Sequence, residues 1–180
     1  CRGDKKELIT SEQLKVEKLE ELSPIISDNL FEDFVELYVD SNEIISDLRY
    51  ATSNNFLETK VYPCDKIILR KDAALALKSA SQICHQRNLK LVVYDAYRPI
   101  AIQKQMYDII QNPNYVAPPT KASKHNRGCA VDVGLADVNG NYLDFGSDFD
   151  DFSEKSHYAN KTISNKATNR DSTYAKHGCF

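Results

Sequence analysis

A chain of 180 residues and 20.4 kDa has room for one hydrophobic core and little for a second. Hydrophobic residues at 42% and charged residues at 27% are those of an ordinary globular domain and exclude disordered, collagen-like and low-complexity classes. With 23 Lys+Arg against 26 Asp+Glu, a formal charge of -3 and no basic run, a nucleic-acid partner is not expected, and no apolar stretch reaches the ~18 residues that a membrane-spanning helix needs.

Residues 4 to 22 are densely charged, and Leu8, Leu14, Val16 and Leu19 are spaced too irregularly to make an apolar helix face. Residues 1 to 40 are therefore read as an amino-terminal tether or surface arm, and residues 41 to 180 as the domain. The text changes after Ser41, where Ile44, Ile45 and Leu48 predict a short element ahead of the turn-forming Ser53-Asn54-Asn55. Over residues 72 to 85, Ala73, Ala76, Leu77, Ala80, Ile83 and Cys84 recur at three- and four-residue steps, and an amphipathic helix is expected. Leu91-Val92-Val93-Tyr94 reads as a buried strand after a turn at Arg87-Asn88.

Asp95-Ala96-Tyr97-Arg98-Pro99 follows that strand. Proline suits a helix start, and Ile102, Met106, Ile109 and Ile110 carry the helical spacing until Asn112-Pro113 stops it, so Arg98 falls at a strand-to-helix junction. Cys129 to Ala136 predicts a second strand, with Cys129, Val131, Val133 and Leu135 on one face and Ala130, Asp132, Gly134 and Ala136 on the other.

The five cysteines, Cys1, Cys64, Cys84, Cys129 and Cys179, form no CxxC pair and no disulfide framework. Cys84 and Cys129 are expected as buried free thiols. Cys1 followed by a polar segment is the start that a lipidated bacterial protein shows after signal-peptide removal, which would tether the chain in the cell envelope or periplasm; an arbitrary boundary, and a cytoplasmic protein, is the alternative.

The chemistry concentrates in Ser123-Lys124-His125-Asn126-Arg127-Gly128-Cys129-Ala130-Val131-Asp132. It sets an imidazole in a glycine-containing loop and a carboxylate on the strand that follows. Zinc accepts both donor types, and a catalytic zinc takes three protein ligands and keeps one position for water. Taken alone, this pair is more often a surface ion pair, and Arg98 alone is as well explained by an ion pair with Asp95.

SKHNRGCAVD matches the SxHxxGxAxD signature of zinc peptidases that cut D-alanyl bonds. It is joined, in order, by DLRYATSNNF at 47 to 56, YDAYRP at 94 to 99, NPNYVAPP at 112 to 119 and LDFGSDFDDFSEKSH at 143 to 157. From about residue 44 onward the sequence resembles the D-alanyl-D-alanine dipeptidase family, which includes the dipeptidases of vancomycin resistance. The resemblance implies a single α+β domain with a small, mainly antiparallel sheet flanked by helices. It implies His125 and Asp132 as ligands of a Zn2+ ion, Arg98 as the catalytic group that stabilises the oxyanion, and Ser123 and Tyr97 as substrate contacts. The implied partner is a small dipeptide substrate.

Family members carry a Glu-x-x-His segment that supplies the general base and a third zinc ligand, expected just after Lys176-His177-Gly178-Cys179-Phe180, where this sequence ends. The domain is accordingly read as incomplete at its carboxyl end. His85, His157 and His177 are poor substitutes for the missing ligand, and Glu154 for the base. The activity expected is hydrolysis of D-alanyl-D-alanine. A noncatalytic relative that binds zinc or a wall peptide, and a D,D-carboxypeptidase or endopeptidase acting on longer peptides, are the alternatives.

Overall fold

The computed structural model describes residues 26–31, 33–121, 123–153 and 156. Its elements in chain order are β1 (Ile26–Phe31), β2 (Phe34–Leu37), β3 (Ile44–Ser46), β4 (Ile68–Arg70), α1 (Lys71–His85), β5 (Leu89–Asp95), α2 (Ile100–Ile110) and β6 (Asp132–Asp137), with 3-10 turns at Arg49–Ala51 and His125–Arg127. Two three-stranded sheets result, ordered β1-β2-β4 and β3-β5-β6, and β3 with β5 is the single parallel pair among the described strands. The α+β class and the mainly antiparallel pairing are as the sequence implied, with the strands divided between two sheets.

β5 is the spine of the second sheet. Leu89, Leu91 and Val93 alternate onto the main core with Val35, Leu37, Leu69, Leu77, Cys84 and Leu135. Val35 and Leu37 belong to this core at 2% and 3% exposure, so residues 34–37, which the sequence assigned to the arm, are part of the folded unit. Their short apolar run pairs with β4 over Phe34 to Arg70, a long-range contact that local reading could not supply. Residues 1 to 25 lie outside the described residues.

α1 has Asp72 in its first turn, where a negative charge suits the helix dipole. Its buried positions are Ala74, Leu77, Ser81 and Cys84, while Ala76 is exposed, so the face is rotated from the one that apolar residues alone predicted. Ser81 can lie inside because its hydroxyl donates to the Lys78 carbonyl at 2.8 Å. α2 starts after Pro99 and ends at Gln111, whose left-handed backbone (φ 51°) closes the last turn. It buries Gln103 and Met106, whereas Ile109 is 44% exposed. Met106 joins Tyr50, Leu57, Val61, Tyr62 and Val116 in a second cluster.

The strand expected from residue 129 begins at Asp132. Residues 125–128 are instead a 3-10 turn closed by Gly128 at φ 67°, and Cys129 just beyond it is exposed, not buried as its apolar neighbours suggested. β4 ties this turn to the β5–α2 junction: the Arg70 amide donates to the Gly128 carbonyl at 3.0 Å, and the Tyr97 amide to that of Ile68 at 3.0 Å. The two segments that carry the candidate chemistry are thus anchored to one strand.

Candidate metal centre and its arginine

His125 opens the 3-10 turn, and its backbone carbonyl accepts the Arg98 amide at 3.1 Å, which joins the two loops directly. Its ring is oriented from the second sheet: Nδ1 lies 2.9 Å from the Ala96 carbonyl oxygen. A carbonyl only accepts, so Nδ1 carries a proton, and Nε2 is the nitrogen that would offer its lone pair to a metal. Nε2 stands 3.5 Å from Asp132 Oδ2. Two donor atoms about 2.1 Å from one cation at a tetrahedral angle are separated by about 3.4 Å. The pair therefore fits a tetrahedral divalent cation. Burial tends to lower the His125 pKa, but Asp132 and Asp95 outweigh it and hold it above the ordinary value.

Asp132 reaches this point as the first residue of β6, where it pairs with Asp95 at the end of β5. Regular alternation would put Asp95 on the Val93 side. A bulge between Val93 and Asp95 shifts the register by one, so that Val93 faces Val133 and Asp95 faces Asp132. Gly134 leaves room on the same face for Tyr94, whose hydroxyl would lie 2.6 Å from any Cβ added there.

Among the described residues, Asp95, His125 and Asp132 are the group whose ligand atoms all lie within 4.8 Å of one another and could hold a metal ion. Asp95 is already engaged. Its Oδ1 accepts from the Tyr62 hydroxyl at 2.5 Å and from the Ala96 amide at 2.9 Å, and its Oδ2 from Arg98 Nη2. It is fully buried, while the Asp132 side chain is 41% exposed. Asp132 and His125 thus keep donor atoms open towards one another, while Asp95 anchors Arg98.

Arg98 is held on several sides. Nη2 pairs with Asp95, Nη1 donates to Gln103 Oε1 at 3.1 Å, and the guanidinium lies 5.1 Å from the centre of the Tyr50 ring. Asn126 fixes the backbone beneath it by donating to the Arg98 carbonyl at 2.7 Å. Burial tends to lower the Arg98 pKa, but the Asp95 charge raises it further, and the group stays cationic. Its Nε is the buried side-chain polar atom left without a hydrogen-bond partner among the described residues. An unpaired buried donor is costly, and its place in this cluster calls for an explanation. The ion pair with Asp95, raised from sequence as an alternative to a catalytic arginine, is present and is what orients it.

Ser123 and Tyr97 have partners within the fold. The Ser123 amide donates to Asn126 Oδ1 at 2.7 Å, and the Tyr97 ring meets Phe34 edge-on at 4.8 Å. His85 is exposed at the end of α1, outside this cluster. His157, His177 and Glu154 lie outside the described residues.

Local reading missed Tyr50, Tyr62, Gln103 and Asp150. Tyr50 donates to Asp150 Oδ2 at 2.5 Å across 100 residues of sequence, a relation without a local signature. Asp150 has a left-handed backbone (φ 56°), and burial, with Asp132 adding to it, pushes its pKa up to about 6. Phe149 packs on Tyr50 and Tyr94, and Phe152 on Phe56 and Tyr115, so aromatic contacts flank Asp150.

Known proteins similar to this chain point to one family. The family described as D-ala-D-ala dipeptidase matches residues 32–175. A D-alanyl-D-alanine dipeptidase of Escherichia coli is 38% identical over 125 residues, covering 69% of this chain and 65% of that protein. Proteins of the same description from Enterococcus faecalis and Enterococcus faecium are each 30% identical over 146 residues, covering 69% of this chain and 72% of theirs. The chain thus spans just under two thirds of the length of the Escherichia coli relative.

Proposed function

We propose, from the premise that this chain belongs to the D-ala-D-ala dipeptidase family, that it acts as a zinc-dependent hydrolase of D-alanyl-D-alanine. The observation that carries the reading is the disposition of His125, with Nδ1 committed to Ala96 and Nε2 at 3.5 Å from Asp132. His125 and Asp132 would hold the zinc. When bound, zinc lowers the pKa of its water to about 7 and polarises a carbonyl. The family's third ligand and base are expected from a Glu-x-x-His segment, which is not among the described residues.

The chain's own residues supply the rest. Arg98 is a fixed cation with an unpaired Nε–H, suited to the negative charge that develops on the carbonyl oxygen. Asp150 offers a carboxylate of opposite charge to a dipeptide ammonium, and that contact would draw its raised pKa down again. Ser123 and Tyr97, two residues from His125 and one from Arg98, are proposed substrate contacts.

The test is release of free D-alanine from D-alanyl-D-alanine by the native full-length protein, abolished by a chelator and restored by zinc. Arg98→Ala should lower kcat on the order of 10²- to 10³-fold with little change in KM. Absence of hydrolysis from the zinc-loaded native protein would refute the enzyme reading and favour a noncatalytic relative. Envelope attachment through a lipidated Cys1 is proposed from sequence alone, and the mass of the native amino terminus decides it. Among the described residues no helix is long and apolar enough to cross a membrane.

A further inference from the structure

Gln103 is a buried glutamine on the inward face of α2, where helical spacing calls for an apolar residue. It is 1% exposed, and both ends of its amide are used: Oε1 accepts from Arg98 Nη1 at 3.1 Å, and Nε2 donates to the Ala117 carbonyl at 2.7 Å. Its orientation is forced. The Nη1 group only donates and the carbonyl only accepts, so the amide can lie one way round.

We propose that Gln103 is a positioning residue for Arg98. A guanidinium paired only with Asp95 through Nη2 could still pivot about that contact. Tyr50 restricts one face, and Gln103 fixes the second terminal nitrogen, which leaves Nε as the guanidinium nitrogen without a partner among the described residues. The far end of the amide ties this restraint to the loop containing Asn112, Val116 and Ala117, where the Val116 amide donates to the Asn112 carbonyl at 3.0 Å. Gln103 therefore links the arginine to this loop through one amide. A hydrogen-bonded glutamine restrains a cation without neutralising it, whereas a second carboxylate would compete with the substrate for the positive charge.

The kinetic arm of the test rests on the dipeptidase reading, and the spectroscopic arm does not. In the native full-length protein labelled with 15N in its arginine side chains, Arg98 should show slow guanidinium rotation, seen as separate Nη proton resonances. Gln103→Met, similar in size but without the amide, should merge those resonances and lower kcat about tenfold with KM within about twofold. Gln103→Glu, which keeps an acceptor for Nη1 but adds a second negative charge beside Arg98, should retain the separate resonances while lowering kcat. Gln103→Asn, whose amide is drawn back by one methylene, carries the comparison should the Met variant fail to fold. An unchanged spectrum and kcat in Gln103→Met, or a Gln103→Glu whose Nη resonances merge as in Gln103→Met, would overturn the proposal. Slow rotation that depends on Gln103 in a protein that does not hydrolyse the dipeptide would uphold the positioning role while the dipeptidase reading fails.

Discussion

Asp95 and Asp132 are cross-strand partners, two carboxylates opposite one another at the open end of the β5–β6 ladder. Like charges in that relation destabilise a sheet unless countercharge is supplied. Arg98 supplies it to Asp95, and His125 lies between the two, with Nδ1 at 3.4 Å from Asp95 and Nε2 at 3.5 Å from Asp132. The bulge at Tyr94 creates the repulsion and also the site. It faces one carboxylate to an internal cation and leaves the other for an external one.

This division of labour predicts that Asp95→Asn is mainly a stability mutation. It leaves the Arg98 charge buried and uncompensated, and removal of one partner of a buried pair costs about 3 kcal/mol or more. Urea unfolding should show that loss, while zinc content stays close to the parent's because His125 and Asp132 are untouched. Loss of zinc as complete as in Asp132→Ala would make Asp95 a ligand.

Zinc content itself should collapse in His125→Ala and in Asp132→Ala; equal zinc in both variants and the parent would remove the proposed site. Without metal, the raised His125 pKa means that the folded state holds its proton more tightly than the unfolded chain. This stabilisation is fully present below the unfolded value of about 6.5 and is lost as pH rises through the folded one. Thermal melts of the metal-free protein, compared with His125→Gln, should show an advantage at about pH 6 that fades towards pH 8. With zinc present the sign reverses, since the ligand must be neutral, and zinc affinity should fall on acidification.

Asp150→Asn should stabilise the fold. The folded protein keeps the Asp150 proton up to about pH 6, whereas an unfolded aspartate releases it near ~3.9. The folded state binds more protons between these values, so the ionised carboxylate costs stability as pH rises through the window. The gain in Asp150→Asn should be about 1–2 kcal/mol at neutral pH, allowing for solvent screening, and vanish below about pH 4. Binding of a dipeptide with a free ammonium should weaken in the same variant. A destabilised Asp150→Asn would show that the Tyr50 contact outweighs the buried charge.

Gly128→Ala should be costly for two reasons that a control separates. The left-handed backbone (φ 67°) disfavours any Cβ, and that Cβ would lie 2.4 Å from Phe34 Cε1 and 3.2 Å from the Arg70 amide nitrogen. Gly140 has φ 87° with nothing within 4 Å, so Gly140→Ala meets the backbone penalty alone, about 1–2 kcal/mol. Denaturant unfolding should place Gly128→Ala clearly beyond that, and it should also reduce zinc retention, because the turn of His125 closes on Gly128. Equal costs at the two glycines would show that Phe34 gives way freely.

What the sequence by itself determined was whatever is written in neighbouring residues. The helical spacing over α1 and α2, the apolar run of β5, and the His125 and Asp132 spacing within SKHNRGCAVD were legible because periodicity and motif spacing are local. So was the placement of Arg98 at a strand-to-helix junction, since Pro99 marks the helix start. The tertiary structure alone decided which faces are buried and which groups meet. Ser81 and Gln103 are inside because other elements pack over them, and Gln103 reads as a polar surface residue until Arg98 and Ala117 are seen on either side of it. The bulge that faces Asp95 to Asp132, the strand at 34–37 paired with β4, and the Tyr50–Asp150 bond across 100 residues depend on contacts that no short window contains. Side-chain chemistry is a property of the chain, but its orientation, burial and pKa are set by neighbours that only folding brings together.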